Sequence, residues 1–368
     1  MMSKPSRRSR GTTTIEDVAR TAGVSAMTVS RVINGGKNVR DTTRLQVLEA
    51  VRKLNYSPNT AARNLAAGEA THVGLLYANP STAYLSQFLI GALEAARRAG
   101  CHLVIESCET EDADEQAEVT RRFATSEVEG VVLPPPLSES QPIMAELAAI
   151  GIPVVTVAMG EPREDSLNVR IDDYSAAAEM TRYLLDLGHR DIGFIKGHHN
   201  HVASHDRARG FAAALREFGL DPDQAPVEQG YFTYRSGLIA SERLLSRPNP
   251  PTAIFASNDD MAAAAISVAH RRGLSVPGDL SIVGFDDTSL ATNVWPELTT
   301  VKQPIAAMAE AAVELLLADL RGRRSGMPRR FAERVLDHEM IVRESSGPPA
   351  ASWNRADHRK SALGKMAS

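Results

Sequence analysis

Thr14-Ile15-Glu16-Asp17-Val18-Ala19-Arg20-Thr21-Ala22-Gly23-Val24-Ser25-Ala26-Met27-Thr28-Val29-Ser30-Arg31-Val32-Ile33-Asn34 reads as two short helices folded about one tight turn. Thr14 is an N-cap residue and Asp17 stands three positions on, the spacing of a capping box. Ile15, Val18 and Ala19 form one apolar stripe over 14–21. Gly23 accepts the positive φ that a tight turn between helices needs. Ser25 caps a second helix over 26–34, with Val24, Val29 and Ile33 on its buried face and Ala26, Met27, Ser30 and Arg31 on the other. Gly35-Gly36 ends that helix, and a third helical pattern covers 42–54. A plain helical hairpin has similar spacings. A helix-turn-helix differs in presenting the start of its second helix to the major groove of DNA. There Arg31 can donate twice to a guanine, Ala26 and Met27 offer apolar contact to a thymine methyl, and Thr28, Ser30 and Asn34 can bond to phosphates.

The charge distribution agrees with a polyanionic partner for this segment. Residues 1–64 carry a net charge of +8, whereas the remainder of the 368-residue chain carries −12. Residues 1–13 are basic and polar and read as a disordered tail, although a solvated basic tail alone would share that composition. The N-terminus lacks the apolar core of a secretory signal, and no run of about 18 apolar residues marks a membrane span. The two cysteines, Cys101 and Cys108, match no metal spacing and are read as reduced thiols of a cytoplasmic protein.

Ser57-Pro58 reads as N-cap and first residue of a short hinge helix within 57–68. So short a helix is marginal alone, because nucleation is costly. From His72 the pattern changes to apolar runs at 72–78, 102–107, 128–133, 153–157, 191–196, 252–256 and 280–285, with amphipathic stretches between them. Strand alternating with helix predicts a parallel sheet. The series is long for one sheet, and a break near 160–168 divides it into two α/β lobes. Ligands in such folds bind beyond the carboxyl ends of the strands, here in the cleft between lobes.

No G-x-S-x-G, P-loop or H-E-x-x-H is present, so an enzyme is not expected. His198, His199, His201 and His205 cluster after a strand, but no Cys or carboxylate pattern completes a metal site. They are read as a loop of imidazoles near the cleft, with no metal and no cofactor.

AGVSxxTVSRVIN over 22–34, LNYSPN over 54–59, the following ARxL, and the α/β region together resemble the LacI/GalR family of repressors across about residues 14–343. The resemblance implies a helix-turn-helix head at 14–56 and a hinge at 57–68. A two-lobed, type I periplasmic-binding-protein-like parallel α/β domain follows at 69–343, for effector binding and dimerisation; beyond it, the Ser/Pro/Ala-rich, basic composition reads as a disordered tail at 344–368. It implies a sequence-specific transcriptional repressor of carbohydrate-utilisation genes. Such a homodimer binds a pseudo-palindromic double-stranded operator under the control of a small-molecule effector, a sugar by the chemistry of the cleft. Thr14, Ser25, Thr28, Ser30, Arg31, Asn34 and Tyr56 match DNA-contacting positions of the family, and Ala26 and Met27 stand at its two variable operator-choosing positions. In the hinge, Asn59 joins this set, Ala62 matches a minor-groove alanine, and Leu65 matches the leucine that wedges between base steps. Without the resemblance, the preferred reading is an ordinary Ala-rich linker helix with Leu65 packed on the core. Glu16 departs from the pattern, standing where some members use a tyrosine, and is left unassigned.

The same resemblance assigns the cleft. Arg207, in SHDRARGF, matches the arginine that clamps effector, and Phe232 matches an aromatic that stacks on the ligand ring. Asn258 and Asp259 sit where a strand meets a helix, Asp286 ends the next strand, Gln303 follows a crossover, and Asn79 and Tyr84 follow the first strand of the body. Carboxylate, amide and guanidinium groups beside one aromatic suit a sugar, with many hydroxyls and one apolar face. Each has a plainer alternative: Asn258 and Asp259 as helix caps, Asp286 as a turn cap, Arg207 in a surface ion pair, and Phe232 as core. Two other classes, a transport solute-binding protein and an α/β enzyme fused to a DNA-binding head, leave either the head or the missing catalytic motifs unexplained.

Overall fold

The capping box of Thr14 forms as its spacing predicts: Thr14 Oγ1 accepts from the Asp17 N–H at 3.3 Å, and Asp17 Oδ2 accepts from the Thr14 N–H at 3.0 Å. The computed structural model describes residues 14–33, 39–54, 71–160, 166–327 and 331–350, and the chain divides into two units, 1–70 and 71–368. The 1–13 tail, Asn34, Tyr56 and the hinge with Asn59, Ala62 and Leu65 fall outside the described residues.

The first unit holds α1 (Ile15–Ala22), α2 (Ala26–Ile33) and α3 (Asp41–Lys53). Gly23 ends α1 at φ +67°, returning its N–H to the Ala19 carbonyl. Ser25 caps α2 by accepting from the Thr28 N–H at 3.2 Å. Val18, Val29 and Val47 are fully buried, with Ala19, Val32 and Ala50 around them. Val32 carries the second buried position of α2, three residues after Val29.

The second unit contains two six-stranded sheets. The first has the order β11-β5-β4-β3-β1-β2, from β1 (His72–Tyr77), β2 (His102–Ser107), β3 (Gly130–Leu133), β4 (Val154–Val157), β5 (Leu167–Arg170) and β11 (Ala332–Val335), all parallel. The second runs β12-β10-β9-β8-β6-β7, from β6 (Ile192–Lys196), β7 (Val227–Gln229), β8 (Ala253–Ala256), β9 (Ser281–Asp286), β10 (Thr299–Lys302) and β12 (Glu339–Ile341). Only the β10–β12 pair of that sheet is antiparallel. The central strands are buried on both faces, which is why they read as unbroken apolar runs. Helices α4 (Thr82–Ala99), α5 (Ala113–Ala124) and α6 (Gln141–Ile150) connect strands of the first lobe. Helices α7 (Asp173–Asp186), α8 (Val202–Glu217), α9 (Tyr234–Leu245), α10 (Asp259–Arg271) and α11 (Leu290–Asn293) belong to the second.

The lobes are not consecutive halves, which corrects the expected break near 160–168. β5 lies beyond that break yet still pairs with β4, and after β10 the chain returns to the first lobe through α12 (Ile305–Arg324) and β11. Ala309, Ala312, Val313 and Leu316 bury α12 in the core it shares with β4 and β5. Gly91 of α4 permits this packing: a Cβ there would lie 2.1 Å from the Ala306 carbonyl oxygen. The chain therefore crosses between lobes three times, at 171–172, 303–304 and 336–338.

The tail expected from residue 344 is also corrected, for 344–350. Ser345 is fully buried: its Oγ donates to the Ile282 carbonyl at 2.5 Å and accepts from the Thr299 N–H at 2.9 Å. The Gly347 carbonyl accepts from Ser281 Oγ at 2.9 Å. A Ser-Gly-Pro stretch reads as a linker, but here it satisfies polar groups at the rim of the second sheet. Ser345→Ala leaves the buried Thr299 N–H unpaired and is expected to destabilise this unit by about 1–3 kcal/mol, read from its urea midpoint. Among the described residues, no helix is long and apolar enough to cross a membrane.

Candidate functional site: an inter-lobe cleft and an exposed helix face

Between the lobes lies a pocket of about 520 Å³. Seven of the eight predicted cleft residues line it: Asn79 and Tyr84 from the first lobe, Arg207, Phe232, Asn258 and Asp286 from the second, and Gln303 from a crossing segment.

Arg207 projects from α8 and is 5% exposed, so the surface ion pair is not its role. Its Nε donates to Asp173 Oδ1 at 2.8 Å and its Nη1 to the Ser257 carbonyl at 2.5 Å, with Asp286 Oδ1 3.9 Å from Nη1. The guanidinium carbon sits 3.6 Å from the Phe285 ring centroid. Nη2 has no protein acceptor among the described residues. Burial raises the carboxyls of Asp173 and Asp286 above their ordinary range, while Arg207 pulls both back. Gln303 Nε2 donates to Asp286 Oδ1 at 2.6 Å. The Tyr84 hydroxyl is buried without a hydrogen-bond partner among the described residues. Burial and the charge of Asp286 push its titration upward, so it is a neutral donor aimed into the pocket.

Asn258 serves as cap and wall together. Its Oδ1 accepts from the Met261 N–H at 3.0 Å, while its Nδ2 donates to the Phe232 carbonyl at 3.0 Å. Phe232 is held at φ +59° against Gly197, where a Cβ would meet the ring at 1.9 Å. Asn79 Nδ2 donates to the Pro135 carbonyl at 3.1 Å. Asp259 departs from its predicted place. Its carboxylate turns into the second lobe, accepting from the Thr288 N–H at 2.7 Å and Thr300 Oγ1 at 2.7 Å. It sits at the first position of α10, just after the Asn258 cap, and shapes the floor under β9 rather than the pocket wall.

Several contributors carried no sequence signal. Asp173 follows the Asp172 cap and reads as an ordinary first-turn acid. Glu139 lies in a polar turn, yet both its oxygens accept from the Val202 N–H, at 3.1 and 3.0 Å, across the lobe boundary. Ser81 Oγ similarly donates to Asp260 Oδ2 at 2.6 Å. His201, one of the clustered imidazoles, stacks on Phe232 with centroids 5.5 Å apart. Among the described residues no group of His, Cys, Asp or Glu could hold a metal ion. Among the described residues, three of the five non-glycine residues with positive φ, Ala158, Phe232 and Asp286, line this pocket, so backbone strain collects there.

Burial pushes the Glu139 carboxyl up to about 7 from an ordinary 4.5, helped by Asp173 and Asp206 and opposed by the Val202 N–H. Between those values the folded state holds more protons than the unfolded chain, so stability falls as pH rises from about 4.5 to about 7. Burial, with His198, Arg207 and His199 beside it, pushes His201 down to about 3, so its own contribution is lost as pH falls from about 6.5. Glu139→Gln is therefore expected to be more stable than the parent protein at pH 8, the two urea midpoints converging near pH 4.5.

In the first unit, Ser25, Met27 and Arg31 are exposed on α2, Met27 at 67%. Thr28 and Ser30 are half-buried beside them, and Ala26 packs partly against the core, at the edge of the exposed face rather than within it. The Thr14 hydroxyl is exposed but donates to Asp17 Oδ2 at 2.7 Å.

A helix-turn-helix unit and a two-lobed α/β unit with a buried polar cleft, in one chain, define a class of transcription regulators. Residues 14–59 match the model of bacterial regulatory proteins of the lacI family, and residues 181–346 match the periplasmic binding protein-like domain. The chain is 36% identical to catabolite control protein A of Priestia megaterium over 304 residues, 82% of this chain and 91% of that one. It is 32% identical to the transcriptional repressor CytR of Escherichia coli K12, over 90% of this chain and 96% of that one. Among solved structures, a complex of the transcriptional regulator CelR with cellobiose is 31% identical, covers 91% of this chain and all of that one, and superposes with a TM-score of 0.69. The lac repressor dimer bound to operator and an anti-inducer gives 26%, 91%, 99% and 0.67. The chain belongs to the lacI family of bacterial regulatory proteins and is a DNA-binding transcriptional regulator.

Proposed function

We propose that the protein is a repressor of carbohydrate-utilisation genes that binds a pseudo-palindromic operator as a homodimer and answers to a sugar in its inter-lobe cleft. One observation carries the reading. An exposed helix face bearing Met27 and Arg31 shares a chain with a cleft in which the buried Tyr84 hydroxyl and Arg207 Nη2 have no hydrogen-bond partner among the described residues. Arg207 and Asp286 grip hydroxyls, Phe232 and His201 supply the flat apolar face, and the lobes close over the ligand. A ligand alters DNA affinity only by the difference in its affinity for two states, and closure supplies that difference. The cellobiose complex of one relative and the operator complex of another support each half. Dimer formation has a surface to use. Ile105 is exposed on the edge strand β2 with Ile90 and Leu93 on α4, as are Val227 on the edge strand β7 and Ile239 on α9. The protein acts by binding, not turnover, in the bacterial cytoplasm where the DNA lies.

Selection of duplexes from a random pool by the full chain should recover a two-fold pseudo-palindrome, because a two-fold protein matches two-fold DNA. Affinity for it should fall steeply with salt, several phosphates being neutralised per head. Arg31→Ala should relax the preference at one guanine by about 1–3 kcal/mol. No enrichment, or a flat salt dependence, would refute the proposal.

A further inference from the structure

The pocket around Arg207 is not the end of the cleft. Asn79, Pro80, Glu139 and His201 also line a second chamber, of about 1220 Å³, that continues it outward. The walls differ in chemistry. From the first lobe come Glu109, Thr110 and Glu111, and from the second His198, Asn200 and Tyr231. The second lobe's wall is built of flat rings. His198 and His199 stack with centroids 4.6 Å apart, and Tyr231 stands edge-on to both at 5.5 and 6.1 Å. His201, stacked on Phe232, joins this platform to the inner pocket. The rings are held in place: the Asn200 N–H donates to His198 Nδ1 at 3.2 Å, which leaves the His198 proton on Nε2, facing Glu111 at 3.7 Å.

Charge narrows the ligand further. Among the described residues the outer chamber is lined by Glu109, Glu111 and the raised carboxyl of Glu139, and by no lysine or arginine. Burial keeps His198 and His201 neutral, so they do not offset them. In the inner pocket the one cation, Arg207, already faces Asp173 and Asp286. A phosphate or carboxylate would face Glu109 and Glu111 in the outer chamber and, in the inner one, an arginine already engaged by two acidic groups.

We propose that the cleft takes an uncharged saccharide of at least two rings, one ring on Arg207, Asp286 and Tyr84 and the next in the outer chamber between Glu111 and the His198–Tyr231 platform, and that it excludes sugar phosphates and uronates. The proposal rests on the reading of the cleft as a sugar site and adds length and charge to it.

Calorimetric titration of the full chain tests it, with neutral monosaccharides, the di- and trisaccharides built from them, and the matching 6-phosphates and uronic acids. The expected result is saturable binding of at least one neutral disaccharide, at least tenfold tighter than its component monosaccharides, with no binding of the charged analogues. Tyr231→Ala should weaken the disaccharide by about tenfold and leave the monosaccharides unchanged. Tyr231 is 43% exposed, so the change spares the core, and a thermal melt matching the parent protein confirms it. Monosaccharides binding as tightly as disaccharides, or phosphates binding more tightly than neutral sugars, would overturn this proposal while leaving a sugar site in place. If no saccharide of any length binds, the sugar reading falls and this proposal with it.

Discussion

Arg207→Met is expected to remove the effector response and to destabilise the two-lobed unit by about 3–5 kcal/mol, the usual cost of breaking a buried ion pair from one side. Methionine keeps contact with the Phe285 ring but leaves Asp173 and Asp286 buried without their cation. Both carboxyls are already raised by burial with Arg207 pulling them down, so its loss drives them higher still. The variant should accordingly lose stability most above neutral pH, where these groups must ionise or hold a proton at a cost, and recover toward acid. Adding Asp286→Asn should restore part of the stability and none of the ligand binding, since the donor fork is still absent. Urea unfolding across pH with parallel sugar titration reads both quantities. A stable Arg207→Met protein with intact ligand response would show that the arginine is a bystander.

Val29→Asp is expected to abolish DNA binding altogether while leaving the body's melting transition where it was. Val29 is fully buried in a core formed by three helices, with six buried side chains among the described residues. Such a small core has little stability to spare, and an unpaired buried charge exceeds it. Gel-shift titration on the selected duplex gives the first readout and calorimetry of the full chain the second. Retained DNA binding would mean that α2 does not need its packing on α1 and α3.

The head was legible because its signals are local. Capping at Thr14 and Ser25, the turn at Gly23 and the valine spacing each act within four residues, and the structure repeats them. The apolar runs of β1, β3, β4, β6, β8 and β9 were legible for the same reason. β5, β7, β10, β11 and β12 were not: they are three or four residues long, several of them polar, and exist because a neighbouring strand offers hydrogen bonds. The interleaving of the lobes was hidden likewise, since nothing in the composition of α12 says which sheet it packs on.

The cleft was legible unevenly. Arg207, Asp286 and Gln303 were found through family resemblance, and the structure brings them together. Asp173 and Glu139 were missed because an acid after a cap and an acid in a turn are the commonest surface residues. What sets them apart is a partner 34 or 63 positions away. Asp259 was misplaced by one residue of helix geometry: the α10 cap faces the pocket, and its neighbour turns to Thr288 and Thr300.

The three crossings between lobes limit what the cleft can report. Two plates joined by a single strap can twist, slide and fold. Joined by three short straps, at 171–172, 303–304 and 336–338, they lose most of the freedom to twist and slide and keep chiefly a bend about the straps. Ligands of different shape would then be translated into a single scalar, the opening angle, so unlike molecules would be sensed as more or less of the same signal.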